Sequence, residues 1–116
     1  MERRAHPRYQ CPDVIAMARE PAATLDYYFK VANVSLGGLA LVTSDPKAFP
    51  FEVDSVLDIQ LFLPSGLLAC RGVVARIITD EPGAPRGFGV RLFSFASGDR
   101  ERWLQLVEEN SKRGLP

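Results

Sequence analysis

The sequence predicts a mainly β chain, with six antiparallel strands closed into a small barrel and one C-terminal α-helix. Three observations carry that prediction. Apolar stretches rich in β-branched and aromatic residues recur between residues 14 and 95, separated by turn sequences such as Pro64-Ser65-Gly66. The clearest of them alternates with period two, setting Leu57, Ile59, Leu61 and Leu63 against Val56, Asp58, Gln60 and Phe62. After Ser97 the period changes to three- and four-residue spacing, which belongs to a helix. Closing such a small sheet into a barrel removes the open edges it would otherwise expose.

The elements follow in order. Val14–Arg19 forms the first strand, ended by Glu20-Pro21, and Thr24–Val34 the second. Gly37-Gly38 interrupts the chain before Leu39–Thr43, and Ser44-Asp45-Pro46 turns it again. Val56–Leu63 is the half-buried fourth strand. Leu67–Thr79 is a long fifth, whose Arg71 and Arg76 face solvent or a ligand. Gly87–Phe95 is the last strand, with Phe88, Val90, Leu92 and Ser94 on one side of the pleat. Ser97 is suited to cap the helix, and Asp99 and Glu101 complement its positive end. Trp103, Leu104, Leu106 and Val107 form the apolar stripe that packs on the barrel, and the helix ends near Asn110.

At 116 residues the chain fits one domain, comprising an N-terminal arginine arm (residues 1–12) and a barrel with its helix (residues 13–116). A chain of this size can bury roughly two-thirds of its unfolded surface, enough for a core without staples. Formal net charge is zero, so no overall field favours DNA or an anionic membrane. No segment is long and apolar enough for membrane insertion. The charged start is not a secretory signal, which points to the cytoplasm and to reduced, free Cys11 and Cys70. Two cysteines and one histidine cannot supply a four-ligand zinc site, so no metal is expected. No catalytic constellation appears either. His6 lacks a partner at useful spacing, and Asp54 and Asp58, read along a strand, stand ~13 Å apart.

Two segments do not read as plain scaffold. Residues 2–9 carry Arg3, Arg4 and Arg8 around Pro7. Such a stretch serves either as a solvated terminus or as an anion clamp. On an extended arm Arg4 and Arg8 can reach around a ligand, each gripping a phosphate or a guanine edge with two parallel hydrogen bonds. Asn33-Val34-Ser35-Leu36-Gly37-Gly38 is equally readable as a hairpin turn, with glycines where φ must be positive, or as a turn presenting polar groups to a ligand. In the second reading the Asn33 amide meets a guanine edge, Ser35 offers its hydroxyl, and Gly38 lets the backbone come close.

Together, Arg4-x-x-x-Arg8 and Asn33-x-Ser35-x-x-Gly38 resemble the paired motif of PilZ domains. The likeness extends to the Gly87–Phe93 strand and the helix after it, and so covers nearly the whole chain. It implies a PilZ-like six-stranded barrel and a receptor for the bacterial second messenger cyclic di-GMP, with no further cofactor. Arg4 and Arg8 would take guanine edges and phosphates, with Asn33, Ser35 and Gly38 at the barrel. Arg3, at a variable position of the family, would supply a third guanidinium able to hold a second, stacked ligand. The implied mechanism is ordering of the arm by ligand, reshaping a surface that an effector protein reads; a homodimer is compatible with it. The alternatives are a PilZ-like adaptor that binds no nucleotide, and a small barrel for single-stranded nucleic acid. A basic stripe with interleaved aromatics, which the last would require, is missing.

Overall fold

The computed structural model of the protein describes residues 7–11, 13–43, 50–79 and 85–112. Its strands are β1 (Tyr9–Gln10), β2 (Ile15–Arg19), β3 (Tyr27–Val34), β4 (Gly38–Val42), β5 (Val56–Leu63), β6 (Gly66–Thr79) and β7 (Pro85–Phe95), followed by helix α1 (Asp99–Ser111). All pairings are antiparallel, in the order β3-β2-β5-β6-β7-β4, and β4 pairs back onto β3. Six strands therefore close on themselves into a barrel, as expected. The two-residue strand β1 continues the β3 ladder beyond β2, with Tyr9 opposite Val34 and Gln10 opposite Asn33. The sequence alone had no strand period there; what recruits Tyr9 and Gln10 is the backbone of β3 that β2 leaves unpaired.

Alternation along the strands fills the barrel. Ala16 and Ala18, Phe29 and Val31, Leu39 and Leu41, Leu57, Ile59 and Leu61 all point inward and are buried. Phe51, from the segment before β5, enters the same core. It meets Phe88 edge-on at 5.5 Å, and Phe88 meets Phe29 edge-on at 5.0 Å. Edge-to-face contact sets the positive ring edge against the negative face of its neighbour, adding to area burial. Cys11 and Cys70 are buried and not joined in a disulfide, and burial, reinforced by nearby Asp99, pushes the Cys70 thiol up to about 12.

Several local expectations are corrected. Asp54 is not on a strand: it occupies a turn with φ 76°, while Asp58 on β5 holds Arg71 at 2.7 Å. On β7 the register shifts against β6 near Leu92, so Phe95 packs on the core and Ser94 is exposed. Ser97 does not cap α1. Gly98 holds the cap position at φ 82°, a left-handed conformation that a serine side chain would strain. The helix buries Trp103, Leu106, Val107 and Asn110, an i, i+3, i+4, i+7 face, whereas Leu104 turns outward.

Helix α1 is held at its start by Asp99, whose carboxylate accepts the Ala69 N–H (2.9 Å) and an Arg102 N–H (2.9 Å). Arg102 in turn donates to the Gly66 and Leu67 carbonyls and to Ser65 Oγ, stapling the helix to the β5–β6 turn. The Ala69 amide above all, with help from the Arg102 guanidinium, holds the Asp99 carboxyl below the usual carboxylate range against the opposing effect of burial.

Two outcomes follow for stability. Phe88→Ala removes the ring shared by two edge-on contacts and should cost about 3–5 kcal/mol in urea unfolding. Asp99→Asn should be less stable than the parent at neutral pH. A depressed folded pKa gives a contribution that is complete above the unfolded value of about 3.9 and fades as pH falls towards the lower folded value. Melting curves of parent and Asp99→Asn should therefore converge below that pH; a gap that stays constant into acid would contradict the role of the charge.

Candidate functional site

The candidate site is built where β3 leaves the barrel and β4 re-enters it. After Val34, buried in the core, the chain makes the tight turn Ser35–Gly38 and returns. Ser35 N–H donates to the Gly38 carbonyl (2.8 Å), and Gly38 N–H returns a long bond to Ser35 (3.4 Å). The Ser35 hydroxyl also donates to the Gly38 carbonyl, at 3.3 Å. Two outside groups fix the turn: Leu92 N–H on β7 donates to the Gly37 carbonyl (3.0 Å), and the Trp103 indole on α1 donates to the Leu36 carbonyl (3.4 Å). Barrel, last strand and helix thus meet on four residues of turn.

The glycines here work differently from the sequence expectation. Neither Gly37 nor Gly38 has positive φ; among the described glycines only Gly66 and Gly98 do. Gly38 is required by proximity. A Cβ at that position would lie 2.0 Å from the Val90 carbonyl oxygen, so only glycine lets β4 pair with β7 at this point. The close approach is to the neighbouring strand.

The register then creates a floor. Gln10, Asn33, Ala40, Gly89 and Arg76 lie in one row across β1, β3, β4, β7 and β6. Between Asn33 and Arg76 the row holds only Ala40 and Gly89, and three inter-strand steps set the two ends ~14 Å apart. The adjacent outward row pairs Gly38 with Arg91. Both small residues are covered: Ala40 is buried, and the Arg76 side chain lies over Gly89. Above it opens a cleft of about 380 Å³ lined by Arg8, Ser35, Gly37, Gly38, Leu39, Ala75, Arg76, Gly89, Val90 and Arg91. β1 brings Arg8 in, because continuing the Tyr9–Val34 register sets Arg8 beside Ser35.

Of the residues singled out in the sequence, Arg8, Ser35 and Gly38 meet in this cleft. Asn33 stands at the far end of the row that carries Gly89 and Arg76 and does not line the cleft. Arg3, Arg4 and His6 lie outside the described residues. Arg76 does face the cleft; Arg71 faces solvent, as expected, and pairs with Asp58. Arg91 was missed, because nothing local distinguishes it and only the β4–β7 register brings it beside Gly38. Three guanidinium groups line the cleft with no carboxylate among its described lining residues. A larger cleft of about 550 Å³ lies between α1 and the β5–β6 turn. Asp13 and Glu109 line that one, and its arginine, Arg102, is already engaged with Asp99, so it is poorly suited to an anion. Among the described residues no group of His, Cys, Asp and Glu could hold a metal ion, and no helix is long and apolar enough to cross a membrane.

A small closed barrel with a C-terminal helix and an arginine-lined cleft at its glycine turn defines the class of protein. The chain belongs to the PilZ domain family, whose model matches residues 2–109. No curated protein matches it. Among solved structures it is similar to the Bacillus subtilis inhibitor of motility MotI/DgrA (TM-score 0.74, 21% identity), covering 98% of this chain and 54% of that one. It is also similar to K. pneumonia MrkH in complex with c-di-GMP (TM-score 0.71, 24% identity), with 97% and 53% covered. The PilZ domain of Escherichia coli YcgR with c-di-GMP gives TM-score 0.66 at 14% identity, with 97% and 94% covered. The chain therefore spans about half the length of the first two, and at these identities the likeness is one of fold.

Gly38→Ala tests how the turn is built. The added methyl must push β4 from β7, a forced overpacking that should cost about 1–3 kcal/mol or more in chemical denaturation. Unchanged stability would mean the contact with Val90 is not tight.

Proposed function

We propose that this chain is a receptor for cyclic di-GMP that acts by presenting an altered surface to an effector protein. The observation that carries the reading is the meeting of Arg8, Ser35 and Gly38 in one cleft whose described lining is rich in arginine and free of carboxylates. Cyclic di-GMP offers two phosphodiester charges and two guanine edges. Guanidinium groups satisfy both with paired hydrogen bonds. Relatives of similar fold solved with c-di-GMP, MrkH and the YcgR PilZ domain, support the same ligand.

In this reading Arg4 and Arg8 clamp the ligand from the arm, while Asn33 and Ser35 meet it at the barrel. The Ser35 hydroxyl, whose bond to Gly38 is long, can turn to the ligand at little cost. Arg3 adds a third guanidinium to the arm and favours a second, stacked ligand. The arm before Tyr9 orders on binding, at about 1–2 kcal/mol of backbone entropy per residue, so the net affinity is what remains after that cost. The output is a contact made in the cytoplasm. Nothing on the described cleft walls resembles a nucleophile with its base, which favours a receptor over an enzyme. The alternative, an adaptor that binds no nucleotide, leaves the approach of Arg76 and Arg91 to one cleft without a use.

Isothermal titration of cyclic di-GMP into the parent, Arg4→Ala, Arg8→Ala and Ser35→Ala tests the reading. The parent should bind, the arginine variants should lose about tenfold or more, and Ser35→Ala less. Ligand at a hundred times its Kd should stabilise the parent by about 2.7 kcal/mol, a melting shift of several degrees. A parent that gives neither heat nor shift sinks the receptor reading. Binding that ignores Arg4→Ala sinks the arm assignment alone, and a stoichiometry of one ligand per chain removes the role given to Arg3.

A further inference from the structure

We infer that the β6–β7 wall of the cleft is a purpose-built anion subsite, with Arg76 receiving a phosphodiester of the ligand and Gly89 positioning Arg76. The inference rests on the receptor reading above and assigns residues outside its sequence motif. Along β6 the even-numbered residues Leu68, Cys70, Gly72 and Val74 are buried. Unbroken alternation would carry Arg76 into the barrel core, where an unpaired guanidinium is prohibitive. The ladder is broken just before it. Val74 pairs with Val90 and Arg76 with the adjacent Gly89, leaving Ala75 as an extra, unpaired residue. This β-bulge reverses the parity of the strand, and Ala75 and Arg76 are both exposed on the cleft side.

Gly89 completes the seat. A Cβ built there would lie 3.1 Å from Arg76 Nε and 3.2 Å from its Cγ, so the arginine rests across the bare backbone of β7. A methyl group at position 89 would make it give by a few tenths of an ångström. The charge is also left free. Arg19, Arg71 and Arg102 each pair with an aspartate, at 3.5, 2.7 and 2.9 Å. Arg76 has no such ion pair among the described residues, and neither does Arg91, one row away beside Gly38. Arg76 and Arg91 face one cleft, opposite the wall where Arg8 enters. An anion held here touches the barrel before the arm closes over it, so the subsite does not depend on arm ordering.

The test is cyclic di-GMP titration at about 50 and about 200 mM salt for the parent, Arg76→Met, Arg76→Lys, Gly89→Ala and the double variant Arg76→Met/Gly89→Ala, with circular dichroism and melting as fold controls. Arg76→Met should weaken binding about tenfold or more and flatten its salt dependence, with Arg76→Lys recovering only part, since lysine keeps the charge but lacks the fork. Gly89→Ala should weaken the parent several-fold yet change nothing on the Arg76→Met background, because its effect passes through Arg76. An Arg76→Met affinity within about twofold of the parent overturns the subsite. A Gly89→Ala effect that persists undiminished in the double variant overturns the positioning role. A parent that does not bind overturns the subsite together with the receptor reading, whereas a binding parent with an indifferent Arg76 overturns the subsite alone.

Discussion

The contact on which the rest depends is the approach of Gly38 to the Val90 carbonyl. It is made where β4 begins, and β4 is the strand that joins β3 to β7 and closes the barrel. Move β4 outward by the width of a methyl group and three things loosen together: closure of the core around Phe88, the Ser35–Gly38 turn, and the adjacency of Gly38 to Arg91. The same few residues thus serve closure and, in the proposed receptor, recognition. A motif glycine commonly credited to turn geometry is here a matter of interstrand distance, since its φ is ordinary.

The helix is joined to that turn as well as to the core. The Trp103 indole reaches the Leu36 carbonyl while its ring lies buried against Phe95, centroids 6.1 Å apart. Asp99 and Arg102 hold the first turn of α1 to the β5–β6 side of the barrel. The N-terminal part of α1 is thus tied both to the Ser35–Gly38 turn and to the β5–β6 side of the barrel. The 3.4 Å indole bond is the weaker of these attachments, and the one a ligand at the turn would disturb first.

Much of this was legible in the sequence, and what was not has a common cause. Period-two alternation gave away β5 and most of β6 and β7, and helical spacing gave away α1, because those patterns are set by each element alone. The errors lie where a neighbour decides. Ser97 looked like the cap, but the chain needed a left-handed residue at Gly98. Leu104 looked apolar enough to be buried, yet Asn110 took the inward place, donating to the Leu106 carbonyl at 2.8 Å. Ser94 and Phe95 exchanged sides because of a bulge against β6. Spacing singled out Arg8, Ser35 and Gly38, and the fold brings the three to one cleft. Arg91 was not, since its place depends on a register between strands about fifty residues apart in sequence. Arg76 could be named as outward-facing, but that it faces out by virtue of a bulge is a property of the β6–β7 ladder.

The central claim is that the motif turn and the β6–β7 wall form one ligand-binding surface. Amide and arginine side-chain NMR spectra recorded during titration with cyclic di-GMP test it most directly. The account predicts that the largest shifts fall on Gly37, Gly38, Gly89 and the Arg76 and Arg91 Nε–H groups, with the Trp103 indole N–H following. Shifts centred instead on the groove between α1 and the β5–β6 turn, or no shifts at saturating ligand, would contradict it.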